Sequence, residues 1–426
     1  GLTCRYVPEE KCEEKMNTFL SRCFYQSGAY DNPDSFLDLY QMMRAQEGNA
    51  PANRLYYMAI PPFLFLKVSK ALANAGLVNC GDTVEGWSRA VIEKPFGHDR
   101  PSSDELVEQM AEVFSEDQTF RIDHYLGKEM VQNLMVLRFA NLIFEPIWNR
   151  QYVDHVSITF KEDFGVEDRA GYFDQYGIVR DVMQNHLLQI LALVAMEPPR
   201  QYRSREIRDA KTAVLKQLRV LTRDHIVLGQ YEAATVKGQK RKGYLEEEDI
   251  PADSHTPTFA AGVFHIENER WKGVPFMMQA GKGMDTRLAE IRITFREMPR
   301  NVFPSQPEPF ARNELVFRVQ PDEAVYLNIV NKIPGQGMVL AERSLNLLYQ
   351  SAFDQVIPEA YESLLLEVIR GDKSLFIRKD ELAIAWDIFT PILHEIDQAP
   401  IHPEGYPYGS ATIDGARRLA ARHGIR

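Results

Sequence analysis

Five charged or hydrogen-bonding side chains, Arg121, Asp123, His124, Tyr125 and Lys128, crowd around Gly127 in the stretch Arg121-Ile-Asp-His-Tyr-Leu-Gly-Lys-Glu-Met-Val-Gln-Asn133. From Lys128 onward Val131, Leu134, Met135, Leu137 and Phe139 recur at helical spacing, which predicts a helix from 128 to about 143 with Gly127 and Lys128 at its N-terminus. Free N–H groups and the helix dipole favour an anion such as phosphate at that point. Asp123, His124, Tyr125 and Lys128 line its approach. Read alone, a Gly-Lys pair opening a helix is usually a loop end, and a lone histidine is more often structural than a ligand.

A second constellation lies further on. Glu162 closes a predicted strand, Asp181 and His186 share an apolar helix, and Lys282 and Arg287 sit in a loop between strands. Buried polar groups need partners. Structural pairing, Asp181 with Arg180 or Lys282 for instance, accounts for any one of them. Together they suit a sugar phosphate, with carboxylates accepting its hydroxyls and cations holding its phosphate.

These residues need a large scaffold. The 426 residues predict two or three domains, and 45% hydrophobic with 26% charged residues is the balance of a soluble globular chain with a sizeable core. The formal net charge of −11 argues against nucleic acid or an anionic membrane as partner, so an anion must be held by a local cationic pocket. Cys4, Cys12, Cys23 and Cys80 lack metal-ligand spacing and predict free thiols in a reducing compartment, with no metal site. No apolar run reaches the roughly 20 residues that span a bilayer, and no secretory segment opens the chain. A cytoplasmic location is expected.

Arg54–Ile60 reads as a buried strand followed by Pro61-Pro62 and a helix, and Trp87–Lys94 as a second strand followed by a turn and a helix from Ser102. Two such units predict a doubly wound α/β layer with ligands beyond the strands' carboxyl ends. No strand–GxxGxxA/G–helix fingerprint accompanies them. A long apolar helix over 180–196 is stopped by Pro198-Pro199. Strands are then predicted at 155–162, 225–231, 259–267, 274–280, 290–295, 314–320, 324–331 and roughly 339–349, making a large, mainly antiparallel sheet. Helices at about 360–370 and 379–396 are expected to cover one face of it, and 403–410 to be an irregular crossing. The other face, left bare, predicts a homo-oligomer, dimer or tetramer, through the large sheet. The expected domains are 1–123, a partial dinucleotide-binding layer, and 124–426, an α+β substrate-binding and oligomerisation domain.

The stretch 121–133 resembles the signature of glucose-6-phosphate dehydrogenases, and so do Ile92-Glu-Lys-Pro-Phe-Gly97, Gly171–His186 and Arg312–Pro321; the similarity runs over nearly the whole chain. The resemblance implies oxidation of glucose 6-phosphate to 6-phosphoglucono-1,5-lactone with hydride transfer to NADP, the first step of the oxidative pentose phosphate pathway. It implies His186 as the base and Asp123 as its orienting carboxylate. It also implies that His124, Tyr125 and Lys128 bind the sugar phosphate, that Lys94, Glu162, Asp181, Lys282, Arg287 and Gln320 hold the substrate, and that Ile60, Pro61, Pro62, Glu93, Lys94 and Pro95 contact the cofactor. The family's first strand, its GxxGDLA-type loop and its 2′-phosphate arginine would lie upstream of Gly1, so the chain as written is expected to bind the dinucleotide poorly. Eukaryotic members hold a second, structural NADP on the large sheet; Lys161, Arg292, Arg318 and Tyr326 match that site, whereas Gln279, Leu288 and Asn328 replace cations and Asn346 an aspartate. Two alternatives stand beside this reading: a non-catalytic sugar-phosphate-binding relative, and a related sugar oxidoreductase with another substrate.

Overall fold

Two sheets divide the work of positioning the site. In the computed structural model, which describes residues 9–48, 50–79, 86–300, 302–303, 311–353, 356–398 and 402–425, the first sheet has the order β1-β2-β3-β14: Arg54–Met58 (β1), Ser88–Ile92 (β2), Thr119–Ile122 (β3) and Phe376–Ile377 (β14). The first three are parallel, with Met58 opposite Ile92 and Ile92 opposite Arg121. All five residues of β2 are buried, as a strand covered on both faces requires. The helices Phe65–Asn74 and Arg100–Ala111 follow β1 and β2. Asp99 caps the second, accepting from Ser102 N. The last strand, β14, runs antiparallel to β3 and comes from far downstream, so the first layer is completed by residues beyond 123.

The second sheet has nine strands. Val153–Lys161 (β4), Ile226–Glu232 (β5), Phe259–Phe264 (β8), Phe276–Gly281 (β9), Leu288–Phe295 (β10), Glu314–Gln320 (β11), Ala324–Lys332 (β12), Leu340–Leu348 (β13) and Glu404–Pro407 (β15) lie in the order β13-β12-β11-β10-β4-β9-β8-β5-β15; Ala234–Val236 (β6) and Gln239–Arg241 (β7) form a separate hairpin. Only the pairs β4–β9 and β5–β15 are parallel. In β4, Val156, Ile158 and Phe160 alternate inward, the period that fixes which face meets the core. The helix Glu129–Ala140 lies against β11, the segment Val179–Leu187 against β9, and the helix Asp414–Arg422 against β5 and β8. No helix among the described residues is long and apolar enough to cross a membrane.

Several expectations need correction. The predicted helix over 180–196 is two pieces, a π-helix Val179–Leu187 and an α-helix Leu188–Ala195, and a separate α-helix Ala170–Ile178 precedes them. Helix Ala360–Arg370 forms as expected but is tied to β2, through Arg89 Nη1 donating to Val368 O (2.7 Å) and Ile369 O (2.9 Å). Helix Lys379–Gln398 packs chiefly on the helices Arg100–Ala111 and Ser204–Leu215 rather than covering the large sheet. The helix Ser204–Leu215 and strands β3 and β14 were not anticipated, and the supposed crossing at 403–410 contains β15. Cys23 is free and exposed, but Cys12 is disulfide-bonded, contrary to the expected free thiols. Cys4 and Cys80 lie outside the described residues.

Candidate active site

The carboxyl ends of β2, β3, β4, β9 and β11 deliver the chemistry-bearing residues to one place. Lys94, His124, Tyr125, Lys128, Glu162, Asp181, His186, Lys282, Arg287 and Gln320 all line a single cavity of 840 Å³, large enough for a sugar phosphate beside a second ligand. Asp123 lies behind the wall, 2% exposed, at the end of β3. The two constellations read separately in the sequence are therefore one site.

At its centre, Asp123 Oδ1 is 2.6 Å from His186 Nδ1 and also accepts from Tyr125 N at 2.9 Å. Both side chains are almost wholly buried, and Asp123 Oδ2 has no hydrogen-bond partner among the described residues. Burial opposes the Asp123 charge, but the adjacent imidazoles and the Tyr125 N–H outweigh it and bring its carboxyl down to about 2. Burial lowers the pKa of His186 despite Asp123, with the Lys94 ammonium adding to the effect. His186 is thus neutral at pH 7, its Nδ1–H donated to Asp123 and its Nε2 lone pair turned to the cavity. His124, whose ring centre is 4.6 Å from that of His186, is pushed down to about 3 by burial and by His186, with Lys94 and Lys128 adding to the effect.

The π-helix explains why Asp181 and His186 act together. Gly177 adopts φ 65°, a left-handed conformation that suits glycine, and breaks the preceding α-helix; the chain then restarts with wider turns. In an i→i+5 helix, residues five apart stack on one face, which they would not in an α-helix. Lys94 reads that face: Nζ donates to Asp181 Oδ1 (3.0 Å) and Asp181 O (2.8 Å) and lies 3.1 Å from His186 Nε2. Asp181 is paired with Lys94, not with Arg180 or Lys282; Lys282 instead bonds Glu162. Arg180 faces away, to Asp397 at 2.6 Å and His98 O at 2.8 Å.

Further along the cavity Lys128 Nζ donates to Gln320 Oε1 at 3.3 Å and sits 5.2 Å from the Tyr125 ring centre. Neither Lys128 nor the exposed Arg287 has a carboxylate at ion-pair distance among the described residues, so both charges remain for a ligand. The helix Glu129–Ala140 does begin at Lys128, but the N–H groups of Gly127 and Lys128 are not free: they donate to His124 O and Tyr125 O, both at 3.1 Å. Gly127 is small for a packing reason, since a Cβ there would stand 2.5 Å from Ala360 O. The anion site thus rests on side chains rather than on those two amides. Sequence reasoning missed Tyr361, Tyr172, Phe173 and Arg169, which also line the cavity. Tyr361 stacks near-parallel to His124 at 6.1 Å, a contact that no local spacing announces.

Ile60, Pro61 and Pro62 follow β1, and Glu93, Lys94 and Pro95 follow the adjacent parallel β2, so the six share one rim of the sheet. Open α/β sheets take ligands at such rims. Its three prolines offer no N–H, which suits a flat ring, while Glu93, bonded by Tyr57 Oη, and Lys94 continue into the cavity. These residues fit the nicotinamide end of a dinucleotide. The second-nucleotide residues on the large sheet do not fit one. Arg292 bonds both Glu290 (2.7 Å) and Glu314, Tyr326 Oη donates to Glu290 at 2.8 Å, Asn328 Nδ2 donates to Glu314 at 2.9 Å, and Lys161 pairs with Asp285 at 3.1 Å. Carboxylates already occupy Arg292 and Lys161, while Arg318 donates only to the backbone at Asp322 O, 3.0 Å away.

Comparison with known proteins matches a family model described as glucose-6-phosphate dehydrogenase, NAD binding domain, to residues 3–133, and one described as glucose-6-phosphate dehydrogenase, C-terminal domain, to residues 135–426. The chain is 49% identical to glucose-6-phosphate 1-dehydrogenase 3, chloroplastic, of Arabidopsis thaliana, over 100% of this chain and 71% of that protein. It is 47% identical to glucose-6-phosphate 1-dehydrogenase of Dictyostelium discoideum, over 97% of this chain and 82% of that protein. A solved structure of a glucose-6-phosphate dehydrogenase in complex with its substrate glucose-6-phosphate superimposes with a TM-score of 0.90 at 42% identity, covering 99% of this chain and 86% of that one.

Proposed function

The chain belongs to the glucose-6-phosphate dehydrogenase family, and from that premise we propose that it oxidises glucose 6-phosphate at C1 to 6-phosphoglucono-1,5-lactone with NADP as oxidant. The observation that carries the reading is the buried Asp123–His186 pair, whose free Nε2 faces a cavity lined by cations and carboxylates. His186 Nε2 takes the proton of the C1 hydroxyl. Asp123 holds the Nδ1–H tautomer and stabilises the imidazolium that forms. Lys94, now donating toward Nε2, keeps that lone pair oriented until the substrate hydroxyl takes its place.

Lys128, with His124 and Tyr125, binds the phosphate, and the exposed Arg287 adds charge at the cavity mouth. Glu162, Asp181, Lys282 and Gln320 hold the sugar hydroxyls. Ile60, Pro61, Pro62, Glu93, Lys94 and Pro95 hold the cofactor. NADP, when bound there, accepts the hydride released from C1. The enzyme is a homo-oligomer through the large sheet: β13 is its edge strand, and Leu345, Leu347 and Leu348 on it are 59%, 39% and 41% exposed.

His186→Asn tests the assignment. General-base catalysis contributes on the order of a hundred- to ten-thousand-fold, so kcat should fall by that order while glucose 6-phosphate binding, measured by calorimetry, stays within a few-fold. Turnover within a few-fold of wild type in a folded variant removes His186 from the role.

A further inference from the structure

Three histidines far apart in the sequence meet at one end of the large sheet. His225 immediately precedes β5, His265 immediately follows β8, and His423 caps the helix Asp414–Arg422 that lies across both strands. All three are half-buried. Their ring centres form a near-regular triangle with sides of 6.0 Å (His225–His265), 5.5 Å (His225–His423) and 5.4 Å (His265–His423). The active-site reading uses none of them.

A metal–nitrogen distance of about 2.0–2.1 Å puts an imidazole centre roughly 3.2 Å from a bound ion, so two rings at a tetrahedral angle stand roughly 5.2 Å apart and wider angles separate them further. The observed triangle has that size. The ring nitrogens do not yet converge: among the described residues the only group with all its ligand atoms within 4.8 Å of one another is Asp123, His124 and His186. A half-turn about Cβ–Cγ exchanges ring nitrogen for ring carbon without moving the ring centre, so binding requires His265 and His423 to re-aim about their side-chain bonds. His225 already has an outer contact of the kind that fixes a ligating imidazole, its Nδ1 lying 2.7 Å from Thr222 Oγ1 and leaving Nε2 for an ion.

We propose that His225, His265 and His423 bind one borderline divalent cation of the Zn²⁺ type, which ties the C-terminal helix to the ends of β5 and β8. Three neutral imidazoles favour Zn²⁺, Ni²⁺ or Cu²⁺ over Mg²⁺ or Ca²⁺. The charged groups around them are Arg219, which is paired with Glu267 at 2.5 Å, and Arg422.

Zn²⁺ added to the metal-free enzyme should bind at one equivalent per chain by calorimetry and raise the melting temperature, since it binds the folded state. Co²⁺ should give the visible absorption of a tetrahedral site. His423→Gln and His265→Gln should each weaken Zn²⁺ binding at least about tenfold, the lower range of losses seen at metal sites, while kcat and KM without metal stay unchanged. If His423→Gln does not fold, His225→Gln and His265→Gln carry the same test. Absence of stoichiometric binding, binding unaffected by these variants, or binding abolished by His124→Gln instead would each overturn the proposal, the last by placing the ion in the active site.

Discussion

The cavity around His186 and the large-sheet face around Arg292 both gather cations, yet they differ in what those cations already hold. In the cavity, Lys128 has only a neutral amide at 3.3 Å, and Arg287 has no ion pair among the described residues. On the sheet, Arg292 is gripped by Glu290 and Glu314, which also engage Tyr326 and Asn328, and Lys161 is gripped by Asp285. A cation attracts a ligand in proportion to the charge that its own neighbours leave uncompensated, and a carboxylate in hydrogen-bond contact removes most of it. Counting lysines and arginines therefore cannot separate a binding site from a structural network. Lys128 and Arg287 are left to receive an anion, whereas Arg292 and Lys161, like Lys94 and Lys282 in the cavity, already hold carboxylates.

The contrast can be broken from the cavity side. Asp123→Asn should lower kcat on the order of a hundredfold or more, less than His186→Asn, because it removes tautomer control and the charge that stabilises imidazolium. It should also move the acid limb of kcat/KM. Neutral His186 is the active form, so activity is lost as pH falls through its pKa, which already lies below 6.5. Asp123 raises that pKa, so its neutralisation should carry the limb to still lower pH. A limb that stays in place or moves upward would mean that Asp123 does not act through His186. Next in size is Lys128→Ala, expected to raise KM for glucose 6-phosphate about ten- to a hundredfold, the value of a charge-assisted bond of roughly 1.5–3 kcal/mol. KM for NADP should barely move; equal effects on both would remove Lys128 from the phosphate.

Acid stability gives a smaller, graded effect. His124 has a folded pKa of about 3 against an ordinary 6.5, so between those values the unfolded chain binds a proton that the folded chain refuses. Stability from this source is complete above pH 6.5 and is lost as pH falls toward 3. His124→Gln should flatten the decline of urea midpoint over that window; an unchanged slope would show that His124 is not held neutral.

Much of this was legible in the sequence. Strand β11 was read to the residue, and β12 to within one, because alternation and the turn at Pro321 mark both. Asp123, His124, Tyr125 and Lys128 were legible as one contiguous stretch, and Glu162, Asp181, His186, Lys282 and Arg287 as polar residues in segments otherwise built for burial, whereas Lys94 and Gln320 came only through the family resemblance. What escaped depends on contacts between distant segments. Val179, Val182, Met183 and Leu187 are compatible with an ordinary amphipathic helix, so nothing in their spacing announces the π-helix that aligns Asp181 with His186. The two-residue β14 exists only because β3 offers an edge. Lys211 and Glu381, wholly buried and 2.9 Å apart, are brought together only by the packing of the helices Ser204–Leu215 and Lys379–Gln398. Tyr361 and the carboxylates around Arg292 belong to the same class.

The smallest expected effect probes the other side of the contrast. Arg292→Gln removes the cation between Glu290 and Glu314 and leaves two carboxylates facing a neutral amide. Its side chain is 33% exposed and its partners 11% and 21%, so the loss should fall between that of a surface pair and that of a buried one, about 1–2 kcal/mol. The melting temperature should fall by a few degrees at most at fixed protein concentration. If the network is purely structural, kcat and both KM values should remain within about twofold, since uniform changes in stability do not alter transition-state binding. NADP should protect wild type and Arg292→Gln against heat to the same extent, because any protection then comes from the strand-end rim and not from the sheet face. Protection that is clearly weaker in the variant would mean that Arg292 exchanges its carboxylates for nucleotide phosphates, and the two cation clusters would then differ in degree rather than in kind.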